Sequence, residues 1–293
     1  MKKLLVLLFA GSVLFCSAQK KTDPVVFGNS IRAENLSKNL HIIASAGFEG
    51  RETATAGQRK AAAFIENFFK SLSLRPGNGN DYQLPYPVYQ DTLLSSGLKV
   101  NDQSFGLFED YDFSIANNYS AELGSSQIVY AGYGVSDSTQ DDYKGLDVRG
   151  KIVMLKSGYP PGFVQRQVNG RRFNSFIKLD EAQQHGAVAV LIIQNNFPHP
   201  PAPLRGNMYR EVYRAKNHPV SINISEKIAR SIMGGDFDSL NHAEFHAKTY
   251  QRDIWLSIRK ETEFLQSTDV LGYLEGSDLK EELLVISAHY DHL

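Results

Sequence analysis

The sequence has almost no thiol and no excess of charge of either sign. Its 293 residues include a single cysteine, Cys16, so a framework of disulfides is excluded. The formal net charge is -1, which gives no electrostatic reason to expect nucleic acid or an anionic membrane as a partner. Hydrophobic residues make up 42% and charged residues 22%, proportions that are typical of a soluble globular protein.

Long hydrophobic runs are scarce, and the clearest one lies at the N-terminus. Two lysines precede Leu4–Phe15, which is too short to span a bilayer comfortably, and small residues follow it. The pattern predicts a signal peptide over residues 1–18, a secreted or periplasmic protein and no stable membrane anchor. Lipid attachment at Cys16 is the alternative, which the bulky preceding phenylalanine disfavours. Cleavage would leave a mature chain without a thiol, so catalysis would need other groups.

The N-terminal third has helical patterns. Leu36, Leu40 and Ile43 share one helical face, and Thr55 and Gln58 have the spacing of a capping box. The helix that follows carries an apolar stripe of Ala61, Ile65, Phe68, Phe69 and Leu72. A partner-binding face is one interpretation of this stripe, but a helix packed on its own core is the more common one.

The sequence pattern changes near residue 126. The stretches "GKIVMLKSG", "AVAVLIIQN" and "VSINIS" are short apolar strands bounded by glycine or polar residues, and helical patterns lie between them. This alternation predicts a self-contained α/β insert over residues 116–248. Three further strands are then predicted in "DIWLSIRKETEF", "DVLGYLEG" and "ELLVISAHYDHL".

The last of these strands carries the chemically most informative residues. His289 and Asp291 are spaced i, i+2, so on an ideal strand both side chains point the same way. One imidazole nitrogen can bind Zn²⁺ while a carboxylate orients the ring through the other nitrogen. Ligands also collect at the carboxyl ends of strands in open α/β sheets. A solvated or salt-bridged pair at a strand end is the alternative.

Several segments together resemble the secreted di-zinc aminopeptidases that carry a protease-associated (PA) domain insert. The segments are "EGRETATAGQRKAAAFIENFFKSLSLRP", "IVYAGYGV" with "DDYKGLDVRGKIVML" and "EAQQHGAVAVLI", and "STDVLGYLEGSDLKEELLVISAHYDHL". The resemblance implies an α/β fold, in which a zinc-exopeptidase-like mixed sheet with flanking helices is interrupted by the PA-type insert. It places the N-terminal part of the peptidase domain at 19–115 and the start of the catalytic core at 249–293.

The resemblance also implies roles for two residues. His289 is expected to bind one of two Zn²⁺ ions, and Asp291 to orient it. The remaining ligands and the general base are expected beyond residue 293, so the chain is expected to be the inactive N-terminal part of an enzyme. The implied activity is removal of N-terminal residues from peptide substrates. A non-catalytic, receptor-like binding protein and a single-zinc enzyme similar to glutaminyl cyclase are the alternatives.

Three further motifs have weaker functional interpretations. "HAEFH", at residues 242–246, has helical histidine spacing but lacks the glutamate that a zincin requires after its first histidine. Gly132 and Gly134 are expected to be turn glycines, because no G-x-G-x-x-G motif completes them. Arg51 is expected to form a structural ion pair, with contact to a substrate as the alternative.

Overall fold

The computed structural model describes residues 23–136, 140–163, 167–168, 171–172, 175–210, 218–240 and 247–292. The predicted signal peptide and the "HAEFH" motif lie outside these residues. Among the described residues, no helix is both long and apolar enough to cross a membrane. The chain divides into two compact units: unit 1 comprises residues up to Gln83 together with Val270 onward, and unit 2 comprises Leu84–Asp269.

Unit 2 is built on a mixed sheet of eight strands, whose order is β3-β2-β11-β5-β6-β9-β10-β4. The strands β5, β6, β9 and β10 are parallel, while β4 and β3 join the sheet antiparallel at its two edges. The strands are β2 Gln83–Val100, β3 Gln103–Phe105, β4 Tyr111–Asp112, β5 Ala121–Tyr130, β6 Ile152–Lys156, β9 Ala189–Gln194, β10 Val220–Ser225 and β11 Lys248–Val270. This architecture confirms the predicted α/β class with a mixed sheet.

The other elements of unit 2 are two helices, a short 3₁₀ helix and a small hairpin. They are α4 Ser175–Gln184, α5 Glu226–Met233, the 3₁₀ helix Gly234–Ser239, and the paired strands β7 Gln167–Val168 and β8 Arg171–Arg172. Ser225 is the N-cap of helix α5, and its hydroxyl accepts a hydrogen bond of 3.4 Å from the amide of Ile228. Its buried residues are Ile228, Ala229, Ile232 and Met233, the stripe of a helix packed on a sheet.

The apolar runs of the sequence form the core of this unit. Every residue of Ile152–Leu155 is buried, as are Ala189–Leu191 and alternate residues of β10. Ala189, Val190 and Leu191 are consecutive in β9 and all buried, so both faces of this strand are covered, as a continuous apolar run predicts. The predicted strand-helix alternation is therefore confirmed. The predicted limits of the insert, 116–248, stay a prediction.

The backbone conformation of the turn that follows β5 favours glycine at two positions. Gly132 and Gly134 have φ of +54° and +69°, and a Cβ at Gly134 would lie 2.6 Å from a methyl carbon of Leu155. The carboxylate of Asp142 accepts hydrogen bonds of 3.0 Å from the amides of Tyr133 and Val135. An internal carboxylate thus occupies the donors of this turn, and the prediction of turn glycines is confirmed.

A buried ion pair links β2 to β11 within unit 2. Asp91 and Lys260 form a salt bridge with both side chains buried. Asp91 also accepts hydrogen bonds from Thr262, at 2.7 Å, and from the hydroxyl of Tyr209, at 3.0 Å. Burial, and then the bond to Asp91, raise the pKa of Tyr209 to about 12. Lys260 also donates to the carbonyl of Ile115 at 3.1 Å, so both charges have several partners, the condition under which a buried pair is tolerated.

Unit 1 is mainly helical. It contains α1 Pro24–Gly28, α2 Ala33–Ile43, the 3₁₀ helix Ala46–Phe48 and α3 Ala56–Ser71, and the strands β1 Arg75–Pro76 and β12 Gly272–Tyr273 pair antiparallel. Thr55 caps α3 as predicted, because its hydroxyl accepts a hydrogen bond from the amide of Gln58 at 3.4 Å. The amide of Leu271 donates to the carbonyl of Tyr82 at 2.7 Å.

The apolar faces of helices α2 and α3 in unit 1 are only partly buried. Ala61 is fully buried, but Leu36 and Leu40 are 61% and 63% exposed, and the stripe residues Phe68 and Leu72 are exposed as well. The expectation that the stripe of α3 packs on its own core is met at Ala61 and not at Phe68 and Leu72, and the predicted shared face of Leu36 and Leu40 is exposed. Helical periodicity identifies the apolar face of a helix, but that face is buried only where another element packs against it.

The predicted strand before His289 is also wrong. Residues 274–292 contain no strand, and the side chains of Leu283, Leu284, Val285 and Ile286 are between 72% and 90% exposed. A strand exists only where its backbone pairs with a neighbour. Within the part of the chain that the structure describes, no strand lies beside this run. The strand predicted in "DIWLSIRKETEF" lies within β11, whereas the one predicted in "DVLGYLEG" spans the end of β11 and the short strand β12.

The buried ion pair gives a first testable prediction. Replacement Lys260→Met leaves the Asp91 carboxylate buried without a counter-charge, and we expect the free energy of unfolding to fall by about 3–5 kcal/mol. The double variant Asp91→Leu/Lys260→Met should recover most of this loss. Arg205→Met, which removes the exposed pair with Glu263, is the control and should change little. Urea titration measures all three, and equal losses for Lys260→Met and Arg205→Met would contradict the prediction.

A close approach in unit 1 gives a second prediction. A Cβ at Gly57 would lie 2.0 Å from the carbonyl oxygen of Phe48, so only glycine allows α3 to pack against the preceding turn. We expect Gly57→Ala to destabilise this region by about 1–3 kcal/mol, seen as faster hydrogen exchange of the Arg51 amide. Gly47→Ala is the matched control, since its Cβ would meet Ser45 at an ordinary 3.6 Å. Unchanged exchange in Gly57→Ala would refute the prediction.

The third prediction concerns pH. Lys178 of α4 is buried, with its ammonium against the carbonyl of Gly158 and 4.9 Å from the ring centroid of Tyr159, and burial lowers its pKa to about 8. Between pH 8 and the ordinary value of 10.5 the unfolded state binds more protons, so stability should rise with pH in this window. The upper limit of this gain is about 3 kcal/mol.

The variant Lys178→Met isolates this contribution, because all other titrating groups are retained. Its free energy of unfolding should exceed that of the wild type below pH 8, and the difference should shrink as pH rises towards 10.5. A difference that is constant across the window would show that the Lys178 ammonium is not penalised in the folded state.

Candidate functional site

The candidate site lies in unit 1 and depends on the loop between the 3₁₀ helix and α3. Arg51 and Ala54 adopt left-handed backbone conformations, with φ of +61° and +62°, which non-glycine residues seldom do. The amide of Arg51 donates to the carbonyl of Phe48 at 3.3 Å. The loop is thus folded back on the 3₁₀ helix, and its polar side chains are directed by this conformation.

Arg51 holds the backbone on both sides of Asp291. Its Nε donates to the carbonyl oxygen of Tyr290 at 3.1 Å, and its own carbonyl accepts from the amide of His292 at 3.1 Å. Its Nη1 donates to the carbonyl of Ile43. The ion pair expected for Arg51 is therefore wrong among the described residues, where the guanidinium instead binds main-chain carbonyls.

Two neighbouring side chains complete the attachment. The hydroxyl of Thr53 donates to Oδ2 of Asp291 at 2.6 Å, and the side-chain amide of Gln58 donates through Nε2 to the hydroxyl of Tyr290. The bond from Thr53 is the main reason why the pKa of Asp291 lies below its ordinary value; partial burial opposes this effect, and the nearby His289 adds to it. Asp291 is therefore a carboxylate whose charged form is stabilised by a neutral donor.

The structure brings the two predicted site residues together. Nδ1 of His289 lies 3.6 Å from Oδ1 of Asp291, which is beyond hydrogen-bond length but close enough for an ion pair. The side chain of His289 is 98% exposed, whereas that of Asp291 is 34% exposed. Because Nδ1 faces the carboxylate, Nε2 is the nitrogen that remains available to a ligand from solvent.

The donor set fits one part of a zinc site and falls short of a complete one. An exposed imidazole whose second nitrogen faces a carboxylate is the usual arrangement of a zinc-binding histidine. A catalytic zinc needs about three protein ligands. Within the described ranges, no group of three or more His, Cys, Asp or Glu side chains is placed to hold a metal ion. Further ligands are required before His289 could hold zinc firmly.

The sequence did not reveal the residues that hold this segment. The roles of Arg51, Thr53 and Gln58 at the site were missed, although all three belong to the quoted N-terminal segment of the resemblance. Arg51 and Thr53 are separated from their partners by 239 and 238 residues. Local patterns carry no information about contacts of this range, so only an N-cap and a helix were predictable there.

Comparison with known proteins identifies one part of the chain and relates the rest to peptidases. The model of the PA domain family matches residues 124–227. A glutamate carboxypeptidase 2 homolog from Caenorhabditis elegans is 24% identical over 292 residues, which cover 90% of this chain and 34% of that protein. The chain thus spans about a third of this curated relative's length.

Two of the solved structures found by comparison are aminopeptidases. An aminopeptidase from an Aneurinibacillus species has a TM-score of 0.44 and 17% identity, covering 86% of this chain and 50% of its own. A zinc aminopeptidase from Bacillus subtilis has a TM-score of 0.34 and 16% identity, covering 85% and 48%. The chain therefore matches the PA domain family over residues 124–227 and is similar, over most of its length, to a glutamate carboxypeptidase 2 homolog.

Proposed function

We propose that this chain is the N-terminal part of a secreted or periplasmic zinc metallopeptidase in which His289 is a zinc ligand. The observation that carries the proposal is the arrangement of His289 and Asp291, in which an exposed imidazole turns Nδ1 towards a carboxylate at 3.6 Å. The relation to peptidases, the PA domain and the predicted signal peptide of residues 1–18 support it. The insert limits of 116–248 are part of the same proposal.

The residues of this chain have distinct tasks in the proposed site. His289 would bind the metal through Nε2, and the negative charge of Asp291, which faces Nδ1, favours the tautomer with the proton on that nitrogen. The bonds from Arg51 to Tyr290 and His292 keep this short segment in place. Zinc, when bound, lowers the pKa of a water molecule towards about 7 and polarises the carbonyl of the peptide. Two zinc ions per complete site, with further ligands and a general base beyond residue 293, are implied by the resemblance.

The proposed reaction is hydrolysis of the first peptide bond of a peptide substrate. The name of the Caenorhabditis elegans relative, a glutamate carboxypeptidase 2 homolog, favours a second candidate, removal of a C-terminal residue. A substrate panel separates the two, because an aminoacyl-anilide reports only the first activity and an N-blocked peptide ending in glutamate only the second. A receptor-like protein would turn over neither.

The fourth prediction tests the metal ligand in the full-length natural protein with added zinc. We expect His289→Ala to abolish turnover, because it removes a ligand, and Asp291→Ala to reduce turnover about 10–100-fold, because it removes only the orienting carboxylate. His41→Ala is the matched control: His41 is also an exposed histidine of unit 1, and its ring bonds only locally, to Ser37. This variant should retain full activity.

The 293-residue chain itself provides a further arm of this experiment. Since its described residues supply an incomplete donor set, we expect it to hydrolyse none of the substrates, with or without zinc. Robust turnover by residues 19–293, or full activity of His289→Ala in the full-length protein, would place the active site elsewhere.

A further inference from the structure

We propose that Thr53 is a positioning residue that fixes the carboxylate of Asp291 and, through it, the orientation and tautomer of the His289 imidazole. This inference rests on the proposed function of His289 as a metal ligand. Its basis is the 2.6 Å hydrogen bond from the Thr53 hydroxyl to Oδ2 of Asp291, while Oδ1 of the same carboxylate faces His289. Thr53 and His289 thus engage the two oxygens of one group.

The backbone around Asp291 is held independently of Thr53. Arg51 donates to the carbonyl of residue 290 and accepts from the amide of residue 292, so the main chain is fixed on both sides of Asp291. What remains free is rotation about the two side-chain torsions of Asp291. The hydrogen bond from Thr53 to Oδ2 restricts this rotation and leaves the other oxygen in a defined place.

His289 has little else to orient it. Its side chain is 98% exposed, so packing does not restrict the ring, and the carboxylate of Asp291 is the charged group that faces Nδ1. The partner of one imidazole nitrogen decides which nitrogen is left for a metal, and here that partner is the carboxylate charge at 3.6 Å. If the carboxylate rotates, both ring orientation and tautomer lose their preference. The effect of Thr53 on His289 is therefore transmitted by Asp291 alone.

The position of Thr53 is itself built into the loop. The residues Arg51 and Ala54, on either side of it, are left-handed, a conformation that costs about 1 kcal/mol or more at each non-glycine residue. Strain of this kind persists only where surrounding contacts impose it. Here these contacts include the bonds of Arg51 to residues 290 and 292, so the segment that carries Asp291 helps to hold the loop that presents Thr53.

The fifth prediction tests this relay by the tautomer of His289 in the 293-residue chain. Imidazole ¹⁵N spectra, recorded about two pH units above the ordinary histidine pKa of roughly 6.5, report which nitrogen carries the proton, and a His289→Gln sample assigns the signal. In the wild type we expect the proton mainly on Nδ1. Thr53→Val should lose this preference, whereas Thr53→Ser, which keeps the hydroxyl, should retain it. A general structural role of Thr53 would not move the tautomer.

Thr262→Val is the matched control. It removes the same kind of bond, from a threonine hydroxyl to the carboxylate of Asp91 at 2.7 Å, but in unit 2. Its His289 spectrum should be that of the wild type. Thr53→Ala is a second donor-free variant with a smaller side chain, which keeps the test valid if Thr53→Val does not fold. A wild-type tautomer in a folded donor-free variant, or an equal change in Thr262→Val, would overturn the proposal.

Zinc affinity of the full-length protein is a second readout. With zinc alone as the probe, we expect Thr53→Val to bind about tenfold more weakly, the lower end of the effect of groups that orient ligands. Thr53→Ser should bind as the wild type does, and equal affinity of Thr53→Val and the wild type would contradict the relay. Failure of the proposed function is distinguishable: the full-length protein would then cleave no substrate, while the tautomer change in the Thr53 variants would persist.

Discussion

The hydrogen bonds between residues 51–58 and residues 290–292 determine where the candidate site is. Residues 274–289 have no strand pairing among the described residues, so no sheet positions His289. Each bond contributes only about 1 kcal/mol net, and those to the carboxylate somewhat more. The chain nevertheless concentrates four hydrogen bonds on residues 290–292. Two of them reach the main chain of this segment, and two reach its side chains. This concentration gives a largely exposed segment a defined backbone.

Stability and chemistry are divided between the two units. Unit 2 has the extended apolar core, the buried ion pair of Asp91 and Lys260, and most of the regular secondary structure. Unit 1 has the residues with a proposed reaction role, but many of its large apolar side chains are exposed. A substitution in unit 2 should therefore act mainly through folding, while one in the loop that carries Thr53 should act mainly through the geometry of the site.

The parts of the structure that were predictable are those set by local order. The strands β6, β9 and β10 and helix α5 follow from short apolar runs and helical periodicity, since each is covered by elements close by in the same unit. The strand predicted over the run Leu283–Ile286 is wrong, and the exposure of this run and of Leu36 and Leu40 depends on neighbouring elements that periodicity cannot specify. The i, i+2 spacing of His289 and Asp291 predicts that they act as a pair. No local pattern indicates the role of Thr53, because its partner Asp291 is 238 residues away.

The bond between Leu271 and Tyr82 has a consequence for how such a chain can change during evolution. The two points at which the chain leaves and re-enters unit 1 are adjacent, since the amide of Leu271 donates to the carbonyl of Tyr82 at 2.7 Å. Insertions are tolerated where the ends of the inserted segment lie close together. We therefore expect that unit 2 can be exchanged, shortened or lost as one segment, with a tight turn sufficient to reconnect the chain of unit 1. The helices and the histidine segment would keep their own connections throughout.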